Sequence, residues 1–228
     1  MTTEVPANPA TPEPLLSALE ARVLGCLIEK ELATPDIYPL TLNALVNACN
    51  QRSNRDPLME VTAREVDVAL ELLRQKRLVT LFSGADARVP KFKQKLELVY
   101  PMEPVLRAVM GELLLRGPQT TAGLRGNSER LHPMPKLEEI ELLLAELEHR
   151  PAGALVRKLA RQPGQKEARW AQLLTGEPVA GAVTESAEPL TVTIALSPEV
   201  ERRLAALESE VTKLRGELAA LRGALGGG

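Results

Sequence analysis

The chain has 228 residues and a formal net charge of −2, with 28 Lys and Arg side chains against 30 Asp and Glu side chains. This length accommodates two domains of ordinary size, and the near balance of charge excludes a strongly basic chain. No apolar run reaches the roughly 18 residues of a membrane-spanning helix, so we expect no membrane partner. Aromatic side chains make up 2% of the residues, so any core must be largely aliphatic.

Residues 1–15 are predicted to form a disordered leader, because they are rich in proline and polar residues. They lack the basic start and the apolar stretch of a signal peptide, so we expect a cytoplasmic protein. In that reducing compartment, Cys26 and Cys49 are expected to be thiols buried at apolar helix positions, rather than a disulfide or a metal site.

Residues 16–101 are predicted to form a first domain. A capping box at Ser17 and Glu20 starts its first helix, and a second box, at Thr62 and Glu65, starts its third. The first helix ends before a Thr-Pro pair, because the residue before a proline resists the helical conformation. The other predicted elements are a helix at 40–49, a polar loop at 50–57, a third helix ending near 77, a strand at 78–82, a turn at 83–87 and a returning strand at 88–100.

Residues 102–176 are predicted to repeat this plan as a second domain. The third helices align, with E-V-D-V-A-L-E-L-L-R starting at Glu65 and E-I-E-L-L-L-A-E-L-E starting at Glu139, and their apolar residues fall in register. Phe92 and Trp170 occupy comparable places in the two hairpins. The predicted elements are helices at 105–115, 120–130 and 135–149, a strand at 154–159 and a basic loop at 161–167.

Three helices followed by a β-hairpin are the layout of a winged helix, a helix-turn-helix variant that commonly docks on nucleic acid. The predicted fold class is therefore mainly α with small β-hairpins (α+β): tandem winged-helix domains and a C-terminal coiled-coil helix. A linker at 177–196 precedes that helix, which is predicted at 197–225 because apolar residues recur there at alternating spacings of four and three. The seam residues are Val200, Leu204, Leu207, Val211, Leu214, Leu218 and Leu221, with Leu225 at the end.

Charges beside this seam favour a parallel homodimer. Across two parallel chains, positions 203, 210 and 217 face positions 208, 215 and 222, and each pair joins an Arg to a Glu. The seam composition leaves a trimer open. The alternative interpretation is an amphipathic helix that folds back on its own domains, which does not require this matching of charges.

No sequence pattern indicates an enzyme. The chain contains no nucleotide-binding, hydrolase or metalloprotease motif, and its two histidines, His132 and His149, have no cysteines nearby. Catalysis needs a convergent set of ionisable or nucleophilic groups. We therefore expect a non-enzymatic protein without catalytic residues, bound metal or cofactor.

A basic surface is predicted around the first hairpin. Lys91, Lys93 and Lys95, called the lysine ladder below, alternate along the returning strand, which places them on one face where they suit phosphate contacts. Arg64 lies in the first turn of the third helix, where recognition helices reach base edges. The predicted DNA-binding residues are Arg52, Arg55, Arg64, Arg88, Lys91, Lys93, Lys95, Arg161 and Lys166. Alternatively, the basic hairpins protect strand edges from pairing with another chain.

The exposed faces of both third helices are acidic, which opposes DNA binding because phosphates repel carboxylates. The acids are Glu65, Asp67 and Glu71 in the first domain and Glu138, Glu139, Glu141, Glu146 and Glu148 in the second. The leading interpretation is a DNA-binding or regulatory homodimer whose partner is double-stranded DNA. The alternative is a tandem winged-helix adaptor that binds a protein through the acidic helix at 136–149 without touching DNA.

Four segments together resemble one bacterial family. They read L-E-A-R-V-L-G-C-L-I-E-K, N-Q-R-S-N-R-D-P, L-L-L-R-G-P-Q-T and R-W-A-Q-L-L-T-G. In this combination they resemble the YceH-like proteins, and the resemblance covers about residues 15–177. It implies two tandem winged helices and a DNA-binding or regulatory role, and it brings no catalytic residues.

Overall fold

The computed structural model describes residues 15–82, 89–161 and 164–178, together with residues 203, 210 and 213. Several predicted features therefore lie wholly or mostly outside the described residues: the leader, the turn at 83–87 with Arg88, the linker, and the seam of the coiled coil. The chain divides into two compact units, Met1–Val192 and Thr193–Gly228. In the second unit, Arg203, Glu210 and Lys213 are helical and exposed.

The described elements form an α+β fold with seven α-helices and two small antiparallel sheets. The first half comprises α1 (Ala18–Ala33), a 3-10 helix (Pro35–Ile37), β1 (Leu40–Thr41), α2 (Leu42–Cys49), α3 (Ala63–Gln75), β2 (Val79–Phe82), β3 (Lys91–Gln94) and α4 (Leu96–Val99). The second half comprises α5 (Pro104–Arg116), α6 (Thr121–Ser128), α7 (Leu137–Glu148), β4 (Val156–Leu159) and β5 (Arg169–Gln172). Among these helices, none has the length and apolar character needed to cross a membrane.

Two capping boxes fix the starts of α1 and α3. The Ser17 hydroxyl accepts a hydrogen bond of 3.2 Å from the backbone N–H of Glu20, whose carboxylate accepts one of 2.7 Å from the N–H of Ser17. Thr62 and Glu65 make the same reciprocal pair at α3. Each box satisfies two backbone donors that a helix start leaves open. Both predicted boxes are confirmed.

The returning strand of the first hairpin is shorter than the sequence predicted. It ends at Gln94 instead of continuing to residue 100, and α4 follows. The buried side-chain carbonyl of Gln94 accepts a hydrogen bond of 2.7 Å from the backbone N–H of Leu96, which turns the chain into α4. Lys95 therefore lies beyond the strand, at the N-terminal end of α4.

In both halves, the residue just before the cap of the second helix pairs with a strand of the hairpin. Thr41 caps α2 and Thr120 caps α6, each through its side-chain oxygen. The residue before each cap pairs with the aromatic residue of the hairpin: Leu40 lies opposite Phe92, and Gln119 bridges to Trp170. Phe92 and Trp170 thus occupy comparable places, as the sequence predicts.

Helices α1 and α5 pack against each other at glycines. A Cβ atom on Gly111 would lie 2.8 Å from Cγ2 of Ile28, and one on Gly25 would lie 2.9 Å from Cγ of Leu115. Glycine therefore permits an approach that any other residue would obstruct. The hydrophobic core runs continuously through residues of both halves. The predicted division at residues 101 and 102 falls between α4 and α5.

Candidate nucleic-acid interface

Lys91 and Lys93 lie together on the outer face of a three-stranded sheet, in which β3 is the middle strand. Side chains alternate along β3, so that Phe92 and Gln94 are buried and the two lysines are partly exposed. Residues directly opposite in an antiparallel pair share a face, which puts Lys91 beside Phe82. Phe82 is 48% exposed. The sheet thus presents two cations and an aromatic ring on the side away from the core.

The place of Lys91 in the sheet does not fit the strand-edge interpretation. Lys91 lies opposite Phe82 of β2 on one side and opposite Thr41 of β1 on the other. A residue flanked by strands on both sides needs no charge to prevent pairing with another chain. We therefore expect the positive charge of Lys91 to serve an interaction on the outer face of the sheet.

The lysine ladder keeps its positive charge uncompensated. Within the described ranges, no ladder lysine forms an ion pair with a carboxylate. The second hairpin differs, because Lys158 pairs with Glu141 and Arg157 lies 2.9 Å from Glu177. Carboxylates of the chain itself thus neutralise part of the positive charge on the second hairpin. The lysines of the first hairpin remain available to a polyanion.

Arg52 and Arg64 are exposed near the start of α3. Arg52 belongs to the loop at residues 50–57, and Arg64 lies in the first turn of α3. The side-chain amide of Asn50 donates to the carbonyl of Val61 and accepts from its N–H, both at 2.8 Å. These two hydrogen bonds fix the loop to the segment that leads into α3, so the segments that carry Arg52 and Arg64 lie close to each other.

Arg161 and Lys166 meet at the second hairpin. Both side chains are exposed, and Nη1 of Arg161 lies 3.4 Å from the backbone carbonyl oxygen of Lys166. The structure therefore brings together these two predicted residues, while Arg88 lies outside the described ranges.

Arg55 lies in the interior, away from the predicted surface. Its fully buried side chain contacts both carboxylate oxygens of Glu29, at 2.6 and 3.3 Å. Its Nε donates to the carbonyl of Ala48 at 3.0 Å. A guanidinium held this way does not reach a phosphate, so we remove Arg55 from the candidate interface. The polar neighbours of Arg55 suggested a surface residue, and Glu29 is too distant in sequence to signal the pairing.

Arg55 belongs to a largely buried ion-pair network that the sequence did not reveal, formed by Glu29, Lys30, Arg55, Glu112, Arg116 and Arg130. Nη2 of Arg130 lies 2.9 Å from Oε1 of Glu29 and 3.1 Å from Oε2 of Glu112. Glu29 belongs to α1 and Glu112 to α5, so the network joins both halves. Both glutamates interrupt apolar stretches of their helices, which is the one local signal that could have marked them.

The two buried carboxyl groups are perturbed in opposite directions. Burial acts to raise the pKa of Glu29, but the hydrogen bond and the charge of Arg55, with other nearby cations, outweigh burial and hold this pKa below its ordinary value. For Glu112, burial outweighs the charges of Arg130 and Arg116, so its pKa is raised. The network therefore holds Glu29 firmly as a carboxylate.

Cys26 and Cys49 are free thiols and both are buried, as the sequence predicts. In the described part of the chain, no three His, Cys, Asp or Glu residues are grouped so that they could hold a metal ion.

The third helices present an acidic and apolar surface. Val68 of α3 is 42% exposed and follows Asp67, and Leu142 of α7 is 67% exposed and follows Glu141. Val68 and Leu142 are equivalent positions in the aligned third helices. Exposed apolar side chains beside carboxylates suit a protein surface better than they suit phosphates.

Comparison with known proteins identifies the family of the chain. Residues 16–165 match the family described as "Protein of unknown function, DUF480". A UPF0502 protein of Geobacter sulfurreducens is 49% identical over 202 residues, covering 89% of this chain and 91% of the relative. UPF0502 proteins of Geotalea daltonii and Aeromonas hydrophila are 51% identical over 187 residues (82% and 84% covered) and 42% identical over 212 residues (90% and 94% covered). These matches agree with the resemblance to YceH-like bacterial proteins, and the chain belongs to the DUF480 family.

Proposed function

We propose that the chain is a non-enzymatic DNA-binding or regulatory protein. Its two halves act as winged helices, and the first half makes the main contact with double-stranded DNA. The observation that carries this proposal is the uncompensated pair Lys91 and Lys93, which lies on the outer face of the sheet beside the exposed ring of Phe82. A strand-edge role does not account for the charge of Lys91, which has a strand on both sides, and phosphate groups are natural partners of such cations.

The remaining basic residues take separate roles in this proposal. The lysine ladder contacts phosphates and positions the protein, while Arg64 reads base edges from the first turn of α3. Arg52 contacts the backbone beside it, and Arg161 with Lys166 supplies a second, weaker contact. Arg88, which precedes the ladder in the sequence, has the same role as the ladder lysines in this proposal and contacts phosphates.

Assembly is the second part of the proposal. Residues 197–225 form a parallel coiled coil that makes the protein a homodimer. Two copies of each half then act on one duplex, and the effective concentration of the second copy raises the overall affinity.

Binding of a labelled DNA duplex, measured by fluorescence anisotropy at several salt concentrations, tests the DNA contact. Replacing all three ladder lysines by Ala should weaken binding across sequences. Each lost phosphate contact should reduce the steepness of the log–log salt dependence by about 0.9. The matched control removes the same charge from the second half: Lys136, Arg157 and Lys158, all exposed, are replaced by Ala. No binding at about 50 mM salt, where electrostatic binding is strong, or an equal loss in the control, would overturn the proposal.

A protein-interaction adaptor is the second candidate. It is favoured by Val68 and Leu142, which are exposed at equivalent positions of the two third helices beside acidic residues. Under this candidate, a basic and apolar protein surface binds these helices, and substitution of Leu142 by Ser abolishes capture of that partner while DNA is not bound at all.

A further inference from the structure

A polar cleft of about 370 Å³ lies where the two halves of the repeat meet. Its walls include residues of both halves: Asn54, Asp56, Arg116, Gln119, Asn127 and Arg169. The backbone N–H of Asp56 donates a hydrogen bond of 2.9 Å to the carbonyl of Leu115, which holds the two walls together. The volume falls within the roughly 300–1,000 Å³ of small-molecule sites, and the polar lining calls for a polar ligand.

Two guanidinium groups, those of Arg116 and Arg169, line this cleft. Nη1 of Arg116 lies 3.5 Å from Oδ1 of Asn54 and 3.6 Å from Oε1 of Glu112. Both distances exceed the roughly 2.7–2.9 Å of a charge-assisted hydrogen bond, so these donors are poorly satisfied. Arg169 is exposed on β5, and its side chain forms no ion pair within the described ranges. Planar guanidinium groups match the oxygen pairs of carboxylates and phosphates.

The charge around the cleft favours an anion. The cleft and the network beside it contain five cationic side chains (Lys30, Arg55, Arg116, Arg130 and Arg169) and three carboxylates (Glu29, Asp56 and Glu112). Two positive charges are therefore in excess. Thr120 and Gly123, in the cap and first turn of α6, also line the cleft. The dipole of α6 adds to the attraction for a negative group.

We propose that this cleft binds a small oxyanion, the phosphate or carboxylate group of a polar metabolite. Arg116 and Arg169 hold the oxyanion, and the side-chain amides of Asn54 and Asn127 contact the rest of the molecule. Because Asn54 belongs to the first half and the other three to the second, the ligand stabilises the docking of the halves. The inference is independent of DNA binding.

Calorimetry and thermal unfolding of the full chain without DNA test this proposal. Inorganic phosphate, pyrophosphate and citrate are titrated against sodium chloride at matched ionic strength. We expect saturable binding and a saturable rise of the unfolding temperature with at least one oxyanion. The phosphate and citrate arms show which source of the oxyanion is preferred.

Variants locate the binding. Arg169→Gln should weaken binding about tenfold or more, which corresponds to one charge-assisted hydrogen bond. Arg116→Gln should act similarly, but Arg116 also contacts buried Glu112, so Arg169→Gln is the decisive variant. The control Arg161→Gln removes an exposed arginine outside the cleft and should bind as the unmodified chain does. Absence of saturable binding, or full binding by folded Arg169→Gln, would overturn the proposal, as would an equal loss in the control.

Discussion

Nη2 of Arg130, which follows α6, lies 2.9 Å from Oε1 of Glu29 in α1, so an ion pair joins the two halves of the repeat. The same carboxylate binds Arg55 at 2.6 Å, and Arg55 belongs to the loop before α3. Glu29 therefore holds the polar loop of the first half and the end of α6 in the second half at once. Its side chain is only 3% exposed, so water cannot replace these partners.

Glu29→Gln should destabilise the protein by about 3–5 kcal/mol, because it leaves the buried guanidinium of Arg55 without its counter-charge. The matched control is Glu71→Gln, which breaks the exposed pair of 2.7 Å between Glu71 and Arg74 within α3. That change should cost at most about 1 kcal/mol. Urea unfolding followed by circular dichroism measures both values. A similar cost for the two variants would show that the network does not stabilise the fold.

The two buried glutamates should respond to pH in opposite directions. The pKa of Glu29 is lowered by folding, so its contribution is complete above its ordinary value of 4.5 and is lost as the pH falls through the folded value. The pKa of Glu112 is raised, so the folded state loses stability through this group as the pH rises from 4.5 through the folded value. Free energies of unfolding for Glu29→Gln and Glu112→Gln, measured between about pH 3 and pH 7, should diverge from the unmodified chain with slopes of opposite sign. Parallel slopes would contradict this assignment.

Glycine substitutions test the packing of α1 against α5. Gly111→Ala places a methyl group 2.8 Å from Cγ2 of Ile28, and Gly25→Ala places one 2.9 Å from Cγ of Leu115. Each should destabilise the fold by about 1–3 kcal/mol through overpacking. The control is Gly126→Ala in α6, where no atom beyond the adjacent residues and the backbone of the same helix lies within 4 Å of the added carbon. There alanine should stabilise the helix by about 0.5–1 kcal/mol, and thermal unfolding distinguishes the two signs.

Local patterns predicted the elements of this fold because local physics sets them. The Ser17 and Thr62 capping boxes depend on residues three positions apart, so the sequence showed where α1 and α3 begin. The repeat likewise placed Phe92 and Trp170 correctly, since their pairing follows from the order of the elements. The predicted length of β3 was wrong, because the buried side chain of Gln94 bonds to the backbone of Leu96 and the strand ends there.

Contacts between residues far apart in the chain could not be predicted from local sequence patterns. The polar residues around Arg55 predicted a surface donor, because its partner Glu29 lies far away in the sequence. The role of Gly25 depends on Leu115 of another helix. The shared face of Lys91 and Lys93 could be predicted from the strand pattern, but the prediction was wrong for Lys95, which lies beyond the end of β3.

Charge reversal on α7 separates the two candidate functions. Glu138 and Glu139 are exposed in its first turn, and reversing both to Lys leaves the pair between Glu141 and Lys158 intact. If the chain binds DNA, affinity for duplex should stay equal or increase, because repulsion of phosphates is relieved. If the chain is an adaptor, the double variant should lose a basic protein partner. Anisotropy with labelled DNA and affinity capture measure the two outcomes, and a marked loss of DNA affinity in a folded variant would show that these carboxylates contact bases.

Deleting residues 195–228 should convert a dimer into a folded monomer with weaker DNA binding. The heptad seam and its matched flanking charges should hold chains together at micromolar concentration, on the order of 8 kcal/mol.

A point variant, Leu214→Asp, buries a charge in the seam and should act like the deletion. Lys213→Asp is the control, because Lys213 is helical and exposed. Light scattering gives the mass of each variant, and a trimer mass would change only the strand number. A full-length chain that is monomeric at about 50 µM, well above that micromolar range, would contradict the dimer and leave the C-terminal helix to bind its own domains or another protein.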